Sequence, residues 1–321
     1  MEQQKILIIK AGYSEFLDKE SDSRVPSLGD VIRTTPILSL FKNDHVTWVT
    51  DQNAIPLLEG NPFINRILRL DFLSLQHLEH EYFDTVINLE KIPGICALTK
   101  KISAWRNFGF RLDPRTGEVR AHEKASDALV IGSNQTIKKE NKKTYQELLF
   151  EMLGEIWNKE EYILGYKPSS QETYDIALNT MIGHKWPTKS WPIEYWDEIE
   201  KMLKKENFKV TRQDQQPPKI LNDLNLYMDW LNSAKLILSH DSLGMHLGLA
   251  LKKKVLGLFG PTPHLEVYFY NLGKAILPEP TLECMPCFRR DCERGRNCMA
   301  DIRPERVLRE IKNLLNPNNT N

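Results

Sequence analysis

The chain has 321 residues, 43 Lys plus Arg against 43 Asp plus Glu, and a formal net charge of zero. This balance excludes a dedicated nucleic-acid binder, whose affinity comes from a basic excess. With 41% hydrophobic and 27% charged residues, general disorder is excluded too, and the length suits two ordinary domains or one large one.

Lys5–Lys10 is a compact apolar run, expected to be a strand buried on both faces of a parallel sheet. A long polar loop, Ala11–Pro26, follows it, and then a helical pattern from Leu28 through Phe41. Further strands are expected at His45–Asp51, Ile64–Asp71, Phe83–Glu90 and Ala128–Gly132, and a helical pattern runs from Lys142 to about Tyr162. Gly165–Glu172 gathers Gly, Pro and Ser without periodicity and reads as a linker. Alternation then restarts: strand Tyr174–Asn179, helix Pro192–Asn207, strand Phe208–Thr211, helix Leu224–Ser233, strand Lys235–Ser239, helix Met245–Leu251, strand Val255–Phe259 and helix Arg303–Leu315. Strand–helix alternation on both sides of a linker predicts an α/β protein with two mostly parallel sheets. No stretch approaches the roughly 18 apolar residues of a membrane span, and the N-terminus lacks a signal-peptide pattern, so a cytoplasmic protein is expected.

Three segments carry chemistry. Ser27–Pro36 contains Gly29-Asp30, which puts a carboxylate at the start of a helix, either as its N-cap or facing the strand ends. His184–Pro192 brackets Lys189 between two Trp-Pro pairs; the ammonium could reach a phosphate or simply be solvated. Leu238–His246 follows a strand and opens a helix with small residues, whose exposed N–H groups suit an anion; His246 in isolation reads as an interior histidine. Phe259-Gly260-Pro261-Thr262 ends the next strand in another tight turn, and two such neighbouring turns suit a diphosphate. Neither is a Walker loop, and there is no G-x-G-x-x-G.

Four of the five cysteines form C-x2-C-x4-C-x5-C, from Cys284 through Cys287 and Cys292 to Cys298. Four thiols this close could converge on one tetrahedral zinc or iron; the alternative is reduced thiols without metal. Arg289, Arg290, Arg294 and Arg296 are interleaved, either to offset the charge of such a site or as solvated side chains. Cys96 stands apart and is expected to be a buried small hydrophobe. Lys138–Lys143 is a local basic run, either a solvated face or one that meets a phosphorylated acceptor or anionic lipid.

Taken in order, Gly-Asp-x5-Pro at Gly29–Pro36, Lys-x-Trp-Pro at Lys189–Pro192, Asp-Ser-x-Gly-Met-His at Asp241–His246 and Phe-Gly-Pro-Thr at Phe259–Thr262 resemble glycosyltransferase family 9, the ADP-heptose:lipopolysaccharide heptosyltransferases. The resemblance runs from about Lys5 to Ile311. It implies a GT-B fold, with two Rossmann-like domains facing across a cleft. Residues 1–166 would bind the acceptor, residues 172–302 with the Cys-rich segment 284–298 the nucleotide sugar, and 303–321 would form a C-terminal helix and tail.

The resemblance further implies an inverting transferase with no catalytic cofactor and an ADP-sugar as co-substrate. Asp30 matches the general base. Lys189, Asp241, Ser242, Leu243, Gly244, His246 and Thr262 match donor-binding positions. Cys284, Cys287, Cys292 and Cys298 match cysteines common in the family, one branch of which uses a comparable iron site; a structural metal is the expectation. The implied partners are a nucleotide-sugar donor and a glycan acceptor such as a lipopolysaccharide core, with peripheral contact at the inner face of the cytoplasmic membrane and no nucleic acid.

Three features depart from the pattern: the long Ala11–Pro26 loop, Arg212–Gln216 in place of a glycine-rich turn, and His264 after Gly-Pro-Thr-x. They leave the acceptor and the sugar open, including a protein or small-molecule acceptor; the alternatives to a transferase are a nucleotide-sugar epimerase and a non-catalytic nucleotide-sugar-binding module.

Overall fold

The computed structural model describes residues 2–13, 26–183 and 185–316. Most of the Ala11–Pro26 loop, His184 and the end of the C-terminal tail therefore lie outside the described residues. The chain divides into two compact units, Met1–Tyr166 and Lys167–Asn321.

The first unit holds strands β1 (Lys5–Ile9), β2 (His45–Thr50), β3 (Arg66–Arg69), β4 (Tyr82–Asn88), β5 (Ser103–Leu112) and β6 (Val119–Ala121). They form one sheet in the order β3-β2-β1-β4-β5-β6, parallel except for the antiparallel β5–β6 pair. Ile6, Leu7, Ile8 and Ile9 are all fully buried, as a central strand covered on both faces requires. Leu7, Ile9, Val49, Phe83, Val86, Ile95 and Leu98 pack together on one face. The chain leaves β1 toward β2 on one side, while β4 lies on the other; this reversal opens a crevice at the carboxyl ends of β1 and β4.

The second unit holds β7 (Tyr174–Asn179), β8 (Val210–Arg212), β9 (Ala234–His240), β10 (Lys254–Leu258) and β11 (Gly273–Ile276). These are parallel throughout, in the order β11-β10-β9-β7-β8. Its switch point lies between β7 and β9, whose ends are in register at Asn179 and Ser239. Helix Ile193–Lys205 and helix Pro304–Leu315 cover one face, burying Trp196, Ile199, Leu203, Val307 and Ile311 with Leu236, Leu238, Leu256 and Leu258. Trp191 meets Trp196 edge-on at 4.9 Å between ring centroids, a geometry worth about 1 kcal/mol beyond burial.

Four sequence expectations change. Ala128–Gly132 is not a strand but the middle of helix Ser126–Ser133, since a short apolar run does not distinguish the two by periodicity. Strands β5 and β6 take the sheet position instead; β5 was masked by the exposed Trp105 and its polar neighbours Arg106 and Asn107. The helix expected from Leu28 to Phe41 breaks in two, an α-helix Leu28–Ile32 and a 3-10 turn Thr35–Phe41, because Pro36 cannot continue the hydrogen-bond ladder. The helix within Lys142–Tyr162 is only Tyr145–Leu153, opened by a Thr144–Glu147 capping box and ended by Gly154 at φ +78°. Among the described residues, no helix is long and apolar enough to cross a membrane.

Candidate functional site

In the second unit the chemistry gathers at the β7–β9 switch point. β9 runs out through His240 to Asp241, and Ser242 is the N-cap of helix Leu243–Ala250. Ser242 makes no side-chain cap bond to that helix. Its hydroxyl is held instead by Asn179 Nδ2 at 3.1 Å and lies 3.1 Å from Ser239 Oγ. Asn179 also donates to Ser239 Oγ at 2.9 Å and accepts from the Tyr227 hydroxyl. Burial pushes that phenol well above its ordinary range, so it stays a donor. Gly244 packs on this network. A Cβ there would come within 2.5 Å of both Asn179 Nδ2 and Tyr227 OH, so only glycine lets the first turn settle on its polar floor.

Lys189 reaches the same place from the other side. It ends the 3-10 turn Pro187–Lys189, and its ammonium donates to Asp241 Oδ2 at 2.8 Å and to the Asp241 carbonyl at 3.0 Å. Both side chains are largely enclosed, at 16% and 14% exposure. His246 Nε2 stands 3.9 Å from the other carboxylate oxygen. Burial alone would raise the Asp241 pKa. The Lys189 charge, followed by His246, the Lys189 hydrogen bond and the Thr262 hydroxyl, outweighs it and holds the carboxyl well below the usual range. Thr262 Oγ1 is buried beside Asp241 but makes no hydrogen bond of good geometry.

The structure therefore brings together Lys189, Asp241, Ser242, Gly244, His246 and Thr262, with Leu243 on the first turn of the helix. It also enlists Asn179, Tyr227 and His240, which the sequence reading passed over. Asn179 leaves a trace as the polar end of an apolar strand; Tyr227 and His240 leave none that separates them from core residues.

His240 locks the Lys189 turn to the strand. Its Nε2 accepts the Trp191 backbone N–H at 2.9 Å, so the ring is neutral with its proton on Nδ1. Burial, reinforced by the Lys189 charge, depresses its pKa from 6.5 to about 3. The unfolded chain would take up this proton below about pH 6.5 while the folded one would not, so stability is complete above that value and falls toward pH 3. We expect about 2 kcal/mol less stability at pH 5 than at pH 7.5. Urea melts should show a clearly steeper slope in the native chain than in His240→Asn, where His122 and His264, also lowered by burial, still contribute; an equal slope in both would assign it elsewhere. Between pH 5 and 7.5 Asp241 is ionised in both the folded and the unfolded chain, so it does not contribute to this difference.

The cysteine segment braces the same turn. Thr188 Oγ1 donates to the Arg289 carbonyl, Asn297 Nδ2 donates to the Thr188 carbonyl at 2.8 Å, and Phe288 N–H donates to the Pro261 carbonyl at 3.0 Å. The described residues give no support to the expected four-cysteine metal site. Among the described residues no group of three or more His, Cys, Asp or Glu is arranged to hold a metal ion. Cys284 is exposed, Cys287 and Cys292 half-buried, and Cys298 buried against Gly260. Cys292 Sγ lies 3.3 Å from the Arg296 carbonyl. Burial first, then its fellow cysteines, push the Cys298 thiol up to about 11. Of the interleaved arginines, Arg289 pairs with Glu293, and Arg294 and Arg296 pair with Asp301.

The departures from pattern are structural in kind. Arg212 is buried among Asp197, Asp214 and Glu200, and Gln213 accepts the Met181 N–H at 2.8 Å. His264 sets its ring edge against Phe259. Cys96 is buried, and its thiol is pushed up to about 11 chiefly by burial.

In the first unit Asp30 lies in helix Leu28–Ile32, whose N-cap is Ser27; Asp30 is therefore not the cap. Its carboxylate is 20% exposed and 3.8 Å from Arg33 Nε. The chain reaches this helix through a fixed exit from β1. Glu90 Oε1 accepts from the Ala11 and Gly12 N–H groups at 2.8 Å each and from Lys10 Nζ at 3.3 Å. Gly12 adopts φ +82°, and its carbonyl accepts the Ser27 N–H. The Lys138–Lys143 run is not a uniformly open face: Lys138 is buried, and Lys143 pairs with Glu151 at 2.7 Å.

A family model for Glycosyltransferase family 9 (heptosyltransferase) matches residues 218–297, which include the Asp241–His246 turn and Thr262. Lipooligosaccharide heptosyltransferase 2 of Campylobacter jejuni is 33% identical over 125 residues; the match covers 38% of this chain and 37% of that relative. The fold matches a family 9 glycosyltransferase from Veillonella parvula with a TM-score of 0.68 at 18% identity, over 98% of both chains. It matches the E. coli heptosyltransferase WaaC, solved with ADP-2-deoxy-2-fluoro heptose, with a TM-score of 0.61 at 16% identity, over 96% of this chain and 99% of that one. These full-length likenesses establish the GT-B architecture, and the segment of the second unit that carries Asp241–Thr262 is similar to glycosyltransferase family 9 (heptosyltransferase).

Proposed function

We propose that the protein is an inverting glycosyltransferase that moves a heptose, or a closely related sugar, from an ADP-sugar to a hydroxyl of a cell-envelope glycan such as a lipopolysaccharide core. The observation that carries this proposal is the Lys189–Asp241 pair set at the N-terminus of helix Leu243–Ala250, beside His246 and Thr262. An ammonium has three hydrogens. Two are committed to Asp241, which aims the third without neutralising the lysine outright. A donor diphosphate placed here would meet that hydrogen together with the N–H groups of the first helical turn. Both interactions strengthen as the phosphate leaves and gains charge, so they favour the transition state over the bound donor.

In the transfer, the acceptor oxygen bonds to the anomeric carbon from the face opposite the diphosphate. The bond from that carbon to the phosphate oxygen breaks, and the acceptor proton passes to Asp30. A carboxylate is a weak base, but it suffices when the proton moves late, after the hydroxyl has been acidified by the sugar's developing positive charge. We assign acceptor binding to residues 1–166 and donor binding to residues 172–302. We place the enzyme in the cytoplasm with peripheral contact at the membrane's inner face, where a lipid-linked acceptor is presented; the neighbouring exposed side chains Phe72 and Leu73 support such contact.

The test is a transfer assay with ADP-heptose and heptose-free lipopolysaccharide, read by mass spectrometry, with UDP-sugars, protein and small-molecule acceptors run in parallel. A heptose added to the lipopolysaccharide is expected. Addition only to protein or a metabolite would redirect the acceptor assignment, and ADP-sugar consumption without any transfer product would overturn the transferase itself.

A further inference from the structure

We propose that Tyr145 is a positioning residue that holds the Asp30 helix in register, acting through both Arg33 and Thr34; this rests on Asp30 being the base. Helix Leu28–Ile32 has only five residues, too few for its own hydrogen bonds to define where Asp30 stands. Its Ser27 cap supplies no side-chain bond. The restraint comes from outside.

Tyr145 meets the C-terminal end of that helix at two points. The Arg33 guanidinium lies over its ring at 3.7 Å, while Arg33 Nε sits 3.8 Å from Asp30 Oδ1. The Tyr145 hydroxyl lies 2.8 Å from Thr34 Oγ1, and Thr34 Oγ1 donates to the Asp30 carbonyl at 2.7 Å. A threonine hydroxyl carries one hydrogen. Since that hydrogen goes to Asp30, the tyrosine is the donor to Thr34. One aromatic side chain thus steadies the Asp30 backbone through Thr34 and its carboxylate's cationic neighbour through stacking.

The clamp itself is rigid. Tyr145 is the first residue of helix Tyr145–Leu153, where Thr144 N–H donates to Glu147 Oε2 at 2.6 Å and Glu147 N–H to Thr144 Oγ1 at 3.2 Å. The next turn is anchored by buried Leu148, Leu149 and Phe150. All these groups belong to the first unit, so loosening the clamp should disturb the base and leave donor binding alone.

The experiment measures kcat and donor KM for Tyr145→Phe, Tyr145→Leu and Thr34→Val, alone and with Asp30→Ala, using ADP-heptose and heptose-free lipopolysaccharide, with melting curves for each. Tyr145→Phe keeps the stacking and loses the hydroxyl, so kcat should fall about fivefold, against about fiftyfold for Tyr145→Leu, with donor KM within about twofold. Thr34→Val should match Tyr145→Phe and add nothing to it. In the Asp30→Ala background none of the three should slow the residual rate further. Equal losses with and without Asp30, or a rise in donor KM in place of the fall in kcat, would overturn the proposal alone. Wild-type turnover by Asp30→Ala would instead remove the base assignment, and the proposal with it. Thr34→Val and Tyr145→Phe decide the matter if Tyr145→Leu does not fold.

Discussion

Asp30→Ala is expected to lower kcat by roughly 10²–10⁴, the usual contribution of a positioned general base, while donor KM stays near its native value. The fold should survive. Asp30 is not the helix cap, and its 3.8 Å approach to Arg33 is a loose, partly exposed pair worth at most about 1 kcal/mol. Asp30→Asn should be nearly as slow, because the amide keeps the shape and cannot accept the proton. A circular-dichroism melt beside the kinetics separates lost chemistry from lost structure. Transfer by Asp30→Ala within about threefold of the native rate would show that the acceptor proton goes elsewhere.

Lys189→Met should act twice. It removes the cation proposed to meet the donor diphosphate, so donor KM should rise about 10–100-fold, the worth of one charge-assisted hydrogen bond. It also strands the Asp241 carboxylate, at 14% exposure, without its lysine; this costs about 3 kcal/mol, because burial then pushes the carboxyl toward its protonated form. The two effects separate in the double variant Lys189→Met/Asp241→Asn. A neutral amide needs no counter-ion, so stability should largely return while donor KM stays high. Recovery of donor affinity along with stability would mean that Lys189 serves only to neutralise Asp241. Calorimetry with ADP, which needs no acceptor, checks the binding half independently.

Legibility differed between the units for a physical reason. Buried parallel strands are uniform in chemistry, so β1, β2, β4, β7, β9 and β10 stand out as apolar runs. β5 is half wet, with its exposed Trp105, and carried no such run, and the apolar residues of helix Ser126–Ser133 imitated a strand. The chemistry-bearing turns were legible because each follows a strand and carries residue types, Gly-Asp or Asp-Ser-x-Gly, that an ordinary loop does not need. Their supports were not. Tyr145 lies 115 residues from Asp30 in the chain, and Asn179 lies 62 residues from Asp241. Nothing local marks a tyrosine or an asparagine as the floor of a distant turn.

The sequence by itself determined the α/β alternation, the strand ends at which the candidate site's side chains stand, and the family these turns resemble. Tertiary structure alone decided how those side chains are paired: Lys189 to Asp241 and not to solvent, Asp30 beside Arg33 and not at the cap, and Tyr145 behind both Arg33 and Thr34. It also decided that the segment carrying the four cysteines braces the Lys189 turn, through Arg289 and Asn297. Spacing in a chain limits which atoms can meet. Which of them do meet depends on burial and on competing hydrogen-bond partners, and both are set only when distant segments pack.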